Sequence, residues 1–98
     1  MKNVDLIIDI VSDTMNVARM HVTGKSRQKN IVYARHLCIY LIAETMPKLT
    51  DEKIAVYFGM KKAAVCKIKD KIKFQIMIYP TMRGGLGLLR KKIFENEK

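Results

Sequence analysis

Ninety-eight residues are enough for one hydrophobic core and too few for two, so a single domain over positions 1–98 is expected. Apolar residues make up 49% of the chain, but the longest apolar runs, Leu37 to Ala43 and Phe74 to Tyr79, fall far short of the roughly 20 residues a membrane span needs. A formal net charge of +10 points instead to a polyanionic partner, because such a charge attracts nucleic acid over long range.

Val4 to about Met15 carries Leu6, Ile7, Ile10, Val11 and Met15 at helical spacing, with Asp5, Asp9 and Asp13 on the other side. The same aspartates interrupt any apolar region of a signal peptide, so a cytoplasmic protein is expected. The stretch from Asn16 to Gln28 ends in Thr23-Gly24-Lys25-Ser26-Arg27-Gln28-Lys29, which reads as a basic loop. Asn30 is the predicted N-cap of a central helix, in which Tyr33, Leu37, Leu41 and Ala34, Cys38, Ile42 form neighbouring rows. Pro47 lies at or beyond its end.

Thr50 is positioned to cap a short helix from Asp51 to about Phe58, with Asp51 and Glu52 in the first turn, where the helix dipole favours anions. Gly59 is expected to stop it. A further helix from near Lys61 to at most Tyr79 sets Val65, Ile68, Ile72 and Ile76 on one face and mostly lysine on the others. A glycine-rich turn at Arg83 to Gly87 and a short last helix through Leu86, Leu89, Ile93 and Phe94, frayed from about residue 95, complete the expected all-α bundle of five or six helices.

Charge is unevenly spread. Positions 1–24 sum to −1 and 36–52 to −2, whereas 25–35 carry +4 and 53–73 carry +6. Lysine often does no more than solubilise a helix surface; the placement of these lysines argues for more. Ala55, Gly59 and Val65 have the spacing of a helix-turn-helix over about 50–79: a small residue where two helices meet, a glycine for the turn, and an aliphatic anchor on the second helix. That second helix opens with Lys61 and Lys62 and continues with Lys67, Lys69, Lys71 and Lys73, as suits a helix lying between two phosphate backbones. Lys67 and Lys69 point about 200° apart, so not all can touch one duplex. Base or groove contact is therefore assigned to Lys61, Lys62, Ala63 and Lys67, at the N-terminal part of the helix, and Lys71 and Lys73 to backbone or solvent. The loop Lys25, Arg27, Lys29 reads either as a solvated turn or as an arm reaching a minor groove, where arginine is favoured. Tyr33, Tyr40, Tyr57 and Phe58 read as core or rim aromatics.

Other chemistries find little support. Cys38 and Cys66 sit in helical runs and suit buried free thiols, and neither they nor His21 and His36 have metal-ligand spacing. Gly24-Lys25-Ser26 resembles the end of a phosphate loop, but the first glycine of that motif would fall on Arg19. Gly84-Gly85-Leu86-Gly87 lacks the following Lys-Ser or Lys-Thr. No catalytic set assembles at helical spacing. No enzyme, metal, cofactor or small-molecule substrate is expected.

The order of features resembles the C-terminal DNA-binding domain of the bacterial replication initiator DnaA, over roughly Ile7 to Ile72. The resemblance is carried by the basic loop Lys25 to Lys29, by the run Ile31 to Leu41, by Leu49-Thr50 through Ile54, and by Tyr57-Phe58-Gly59. It implies that Arg27 enters a minor groove and that Lys61 to Ala63 read the major groove. The family's run Gly-Gly-Arg-Asp-His-Thr-Thr-Val is replaced here by Gly59-Met60-Lys61-Lys62-Ala63-Ala64-Val65, one residue shorter across the turn. The family's ATPase module is also missing, so the chain resembles a free-standing fragment with a divergent recognition helix and no ATPase activity. Binding of double-stranded DNA, in replication initiation or transcription regulation, is the function this implies. A module docking on a replication or transcription protein partner is the alternative; exposed aromatic or Met anchors would mark it.

Overall fold

The computed structural model describes residues 3–96, and these contain six helices and no strand. Helix α1 (Val4–Thr14) starts where the Asn3 side chain accepts a hydrogen bond from the Leu6 amide at 2.6 Å. It buries Ile7, Ile8 and Val11. The chain turns at Asn16, whose φ of 54° lies in the left-handed region that asparagine tolerates better than most residues. The segment read as a loop contains a single helical turn, α2 (Arg19–Val22). Arg19 makes it possible: its guanidinium reaches back to the carboxylates of Asp5 and Asp9 and to the Asp5 carbonyl, tying the turn to α1.

Helix α3 (Lys29–Thr45) packs against α1, α2, α4 and α5 and is the centre of the bundle, burying Ile31, Ala34, Leu37, Cys38, Ile39, Leu41 and Ile42. Its cap is Gln28 rather than the expected Asn30, because the Gln28 carbonyl already accepts from Val32 N–H at 2.9 Å and so begins the ladder two residues earlier. Pro47 follows the C-cap residue Met46.

Helix α4 (Asp51–Phe58) is capped by Thr50, whose hydroxyl accepts from Lys53 N–H at 3.3 Å. It ends at Gly59 with φ 62°. There Gly59 N–H bonds the Val56 carbonyl and Met60 N–H the Ala55 carbonyl, so the glycine closes the helix with its last carbonyls satisfied. Helix α5 (Lys62–Ile78) buries Val65, Ile68 and Ile72 against the core. Ile54, Ala55 and Phe58 face it from α4 side by side with the rest of one contiguous core.

Helix α6 (Pro80–Glu95) corrects the expected glycine-rich turn: Arg83 to Gly87 are helical. Met82, Leu86, Leu89 and Ile93 form one buried row that runs straight through the glycines, and Tyr33 donates its hydroxyl to Met82 Sδ at 2.7 Å. A Cβ on Gly84, Gly85 or Gly87 would meet open space, so these glycines lie on the outer side and burial of the opposite row outweighs their low helix propensity. Phe94, expected on the apolar row, is exposed. Helix α6 closes with Asn96 N–H bonded to the Lys92 carbonyl at 3.2 Å, and the tail expected to be frayed continues into residues 97–98, which lie outside the described residues. Both cysteines are free, Cys38 buried and Cys66 half-buried. Among the described residues no three His, Cys, Asp or Glu side chains could share a metal ion, and no helix is long and apolar enough to cross a membrane.

Candidate nucleic-acid interface

The basic loop is organised from beneath by one arginine. Arg35, on α3, is 8% exposed, and its guanidinium donates to the carbonyls of Val22 at 2.8 Å, His21 at 2.9 Å and Ser26 at 3.1 Å. A buried charge is costly unless its donors are satisfied, and here backbone oxygens of the end of α2 and of the loop itself satisfy them. Ser26 Oγ also accepts from Gln28 N–H at 3.3 Å, tightening the turn into α3. The segment that displays Lys25, Arg27 and Lys29 is thereby held before its start and at Ser26, and all three side chains are exposed.

The loop lies beside the helix-turn-helix. A Cβ placed on Gly59 would be 4.0 Å from Lys25 Cε, so the lysine stem rests along the turn between α4 and α5. Further along, Arg27 and Lys29 line a cleft together with Lys71 and Gln75 of α5. Lys61 is the N-cap residue of α5; Ala63 and Lys67 are exposed on the side turned away from the buried Val65 and Ile68. With 3.6 residues per turn, Lys71 continues the flank of Lys67 towards the loop. The loop thus brings Lys25 to the turn before α5 and Arg27 and Lys29 to Lys71, while Lys61, Ala63 and Lys67 are exposed at the N-terminal part of α5.

Lys62 departs from that group. It lies on the opposite flank of α5 with Cys66 and Lys69, and its ammonium is 3.7 Å from Glu52 of α4, both side chains being exposed. On the same flank Lys69 pairs with Asp51 at 2.8 Å, and the Cys66 thiol donates to Asp51 at 3.1 Å. The Lys69 and Cys66 hydrogen bonds hold the Asp51 carboxyl below its ordinary pKa, and that carboxylate in turn pushes the Cys66 thiol up. The lysines that the sequence presents as a uniform run therefore divide into an acid-paired flank, Lys62 and Lys69, and a flank turned to the loop, Lys67 and Lys71.

Some residues of this face escape sequence reasoning. Arg35 reads as part of an amphipathic helix, and nothing in its spacing shows that its donors reach 9 to 14 residues back along the chain. Lys71, assigned to backbone or solvent, stands in the loop cleft. Phe74 and Met77 are 62% and 76% exposed on the outward side of α5, off the row Val65, Ile68, Ile72.

The family model described as bacterial dnaA protein helix-turn-helix matches residues 4–72. Among curated relatives, the chromosomal replication initiator protein DnaA of Treponema pallidum (strain Nichols) is 29% identical over 90 residues, which cover 92% of this chain and 19% of that protein. The protein of the same name from Wolinella succinogenes is 37% identical over 88 residues, 89% of this chain and 20% of the relative. That of Campylobacter concisus is 44% identical over 59 residues, 60% of this chain and 13% of the relative. The chain spans about one fifth of the length of the first two relatives.

Proposed function

The chain belongs to the bacterial DnaA helix-turn-helix family, and from that premise we propose that it is a single DNA-binding domain acting on double-stranded DNA. The N-terminal part of α5, with Lys61, Ala63 and Lys67, enters the major groove, Lys62 meeting the DNA from the flank where it now pairs with Glu52, while Lys25, Arg27 and Lys29 reach phosphate or the adjacent minor groove. Its setting is replication initiation or transcription regulation in the cytoplasm, and the chain is not an enzyme. The observation that carries this reading is the shared exposed face of the Arg35-anchored loop and the loop-side flank of α5.

Most of the affinity is expected from phosphate contacts, because lysine and arginine dominate this face and few of its side chains suit base edges. With about five phosphates neutralised, log K falls with log salt at a slope near −4 to −5. Titration of duplex DNA at several ionic strengths measures the slope, and a value near zero defeats the reading.

Docking of a protein partner is the second reading, and the exposure of Phe74 and Met77 favours it, since aromatic and Met side chains anchor such interfaces. A flat salt response with duplex DNA, joined to loss of partner binding in Phe74→Ser, would replace the first reading by this one.

A further inference from the structure

We propose that the cleft between the basic loop, α3 and α5 seats one phosphodiester of the bound duplex, with Arg27, Lys29 and Lys71 as its counter-charges and Gln75 as a hydrogen-bonding partner. The proposal rests on the DNA-binding reading and adds a contact site on α5 about two turns beyond the groove-entering end.

The cleft has a volume of about 270 Å³. At ~30 Å³ per water molecule that is room for a phosphate with its sugar and far less than a base pair with its backbones needs. Its walls hold Arg27, Lys29 and Lys71 and no carboxylate. Tyr33 and His36 of α3 form its floor, and the Tyr33 hydroxyl is engaged with Met82, which holds the ring in place. Gln75 lines the cleft as well, and its carboxamide carries N–H donors that suit an anion.

The contrast with the larger cleft beside α1 is informative. That one, about 660 Å³, is lined by Asp9 and Asp13 as well as Arg19 and Lys92. Its cations are already engaged, Arg19 with Asp5 and Asp9 and Lys92 with the Thr14 hydroxyl. Among the described residues no ion pair involves Arg27, Lys29 or Lys71. Three exposed cations around a concave space repel one another, and an anion seated there relieves that repulsion. The His36 imidazole beside the cleft has its pKa held below the ordinary value by burial first, and then by Lys71 and Arg35.

A phosphodiester is favoured over a free phosphate by the continuity of the charge. Lys67 lies one turn before Lys71 on α5, and Lys25 precedes Arg27 on the loop, so a strand crossing the cleft meets further cations on both sides. The cleft then holds the backbone between the groove entered by α5 and the one reached by Arg27.

The test compares the salt dependence of duplex binding for the wild type, Lys71→Gln and, as a control on the other flank of α5, Lys73→Gln. Loss of one phosphate contact lowers the magnitude of the slope by about 0.9 in Lys71→Gln and leaves preference among sequences unchanged. Lys73→Gln keeps the wild-type slope, and circular dichroism checks that each variant stays folded. Titration of the wild type with inorganic phosphate and with adenosine monophosphate, followed by the Gln75 side-chain amide signals in NMR, separates the two sources of the anion. Duplex is expected to shift these signals at micromolar concentration and the free anions only at many millimolar. A wild-type slope near −4 with the same slope in Lys71→Gln overturns the phosphodiester seat and leaves DNA binding standing. Tight binding of either free anion assigns the cleft to a small ligand and also overturns it. A flat slope in the wild type refutes the DNA-binding reading itself, and with it the seat.

Discussion

The corner formed by α1 and α2 and the face formed by the loop and α5 both carry arginine, yet they use it in opposite ways. Arg19, Arg27 and Arg35 follow one another at intervals of eight residues. At the corner, Arg19 is neutralised by Asp5 and Asp9, and their hydrogen bonds raise its pKa further. On the basic face, Arg27 is exposed beside Lys29 and Lys71 in a cleft without acid. Arg35 links the two regions, buried under the loop and satisfied by backbone carbonyls alone. The difference separates charge that serves the fold from charge left at the surface: paired charges at the corner locate a helical turn, whereas among the described residues no ion pair involves Arg27, Lys29 or Lys71 on the face.

The sharpest way to break this division is to place a charge on either side of the α5 surface. Val65→Asp puts an unpaired carboxylate in the fully buried row of α5, and a loss of at least about 3–5 kcal/mol is expected, enough to unfold a small domain. Lys61→Glu with Lys62→Glu is the complement: duplex binding is lost while the helical circular dichroism spectrum and melting temperature stay close to wild type. Gel shift and thermal melts on the two proteins check both outcomes, and normal binding by the double variant would remove the N-terminal part of α5 from the interface.

Arg35→Gln tests the link between the regions. It strips charge-assisted hydrogen bonds from three carbonyls, and a loss of about 2–3 kcal/mol in urea denaturation is expected. Duplex affinity falls as well, because the loop carrying Arg27 loses its anchor. Unchanged affinity in a variant that still folds would mean that the loop needs no preorganisation.

Arg19→Ala is expected to do less. The Arg19 pairs are solvent-exposed, and such pairs typically contribute no more than about 1 kcal/mol. Duplex affinity at fixed salt should stay within a factor of about two, since the group already has its counter-charges. A clear drop in affinity would place the corner inside the interface.

Acidification gives a graded version of the same comparison. The pKa of His36 is lowered in the folded chain by burial and by Lys71 and Arg35. Its neutral form therefore contributes stability that is fully present above the ordinary histidine value, about 6.5, and is lost as pH falls through the lower folded value. Urea midpoints measured from pH 8 down to pH 5 are expected to decline, and less steeply in His36→Gln. The smallest effect belongs to α6: Gly84→Ala, on an outer side with free space, is expected to raise stability by roughly 0.5–1 kcal/mol, with duplex affinity unchanged.

Much of the architecture was legible along the chain, because periodicity and capping are local. Thr50, Gly59 and the row Val65, Ile68, Ile72 define α4, the turn and α5 within a few residues of each other, and no distant contact overrides them. The exposure of Lys62, Ala63 and Lys67 follows from the same periodicity, and that of Lys25, Arg27, Lys29 and Lys61 from charged side chains in a loop or at a helix start. The glycines of α6 misled for the converse reason: their propensity is local and unfavourable, whereas the burial of Met82 and Leu86 that outweighs it comes from packing against helices far away in sequence.

What the sequence by itself determined is thus the all-α architecture, the helix-turn-helix and the two basic segments, since each is encoded by residues close to one another along the chain. Tertiary structure alone decided how the charges are partnered. Lys62 and Lys69 are set against Glu52 and Asp51, Arg35 is turned inward to the loop carbonyls, and Lys71 is brought to Arg27 and Lys29. Charge partnership depends on distances of a few ångströms between segments that packing of the core brings together, and a count of lysines along the chain carries no information about those distances.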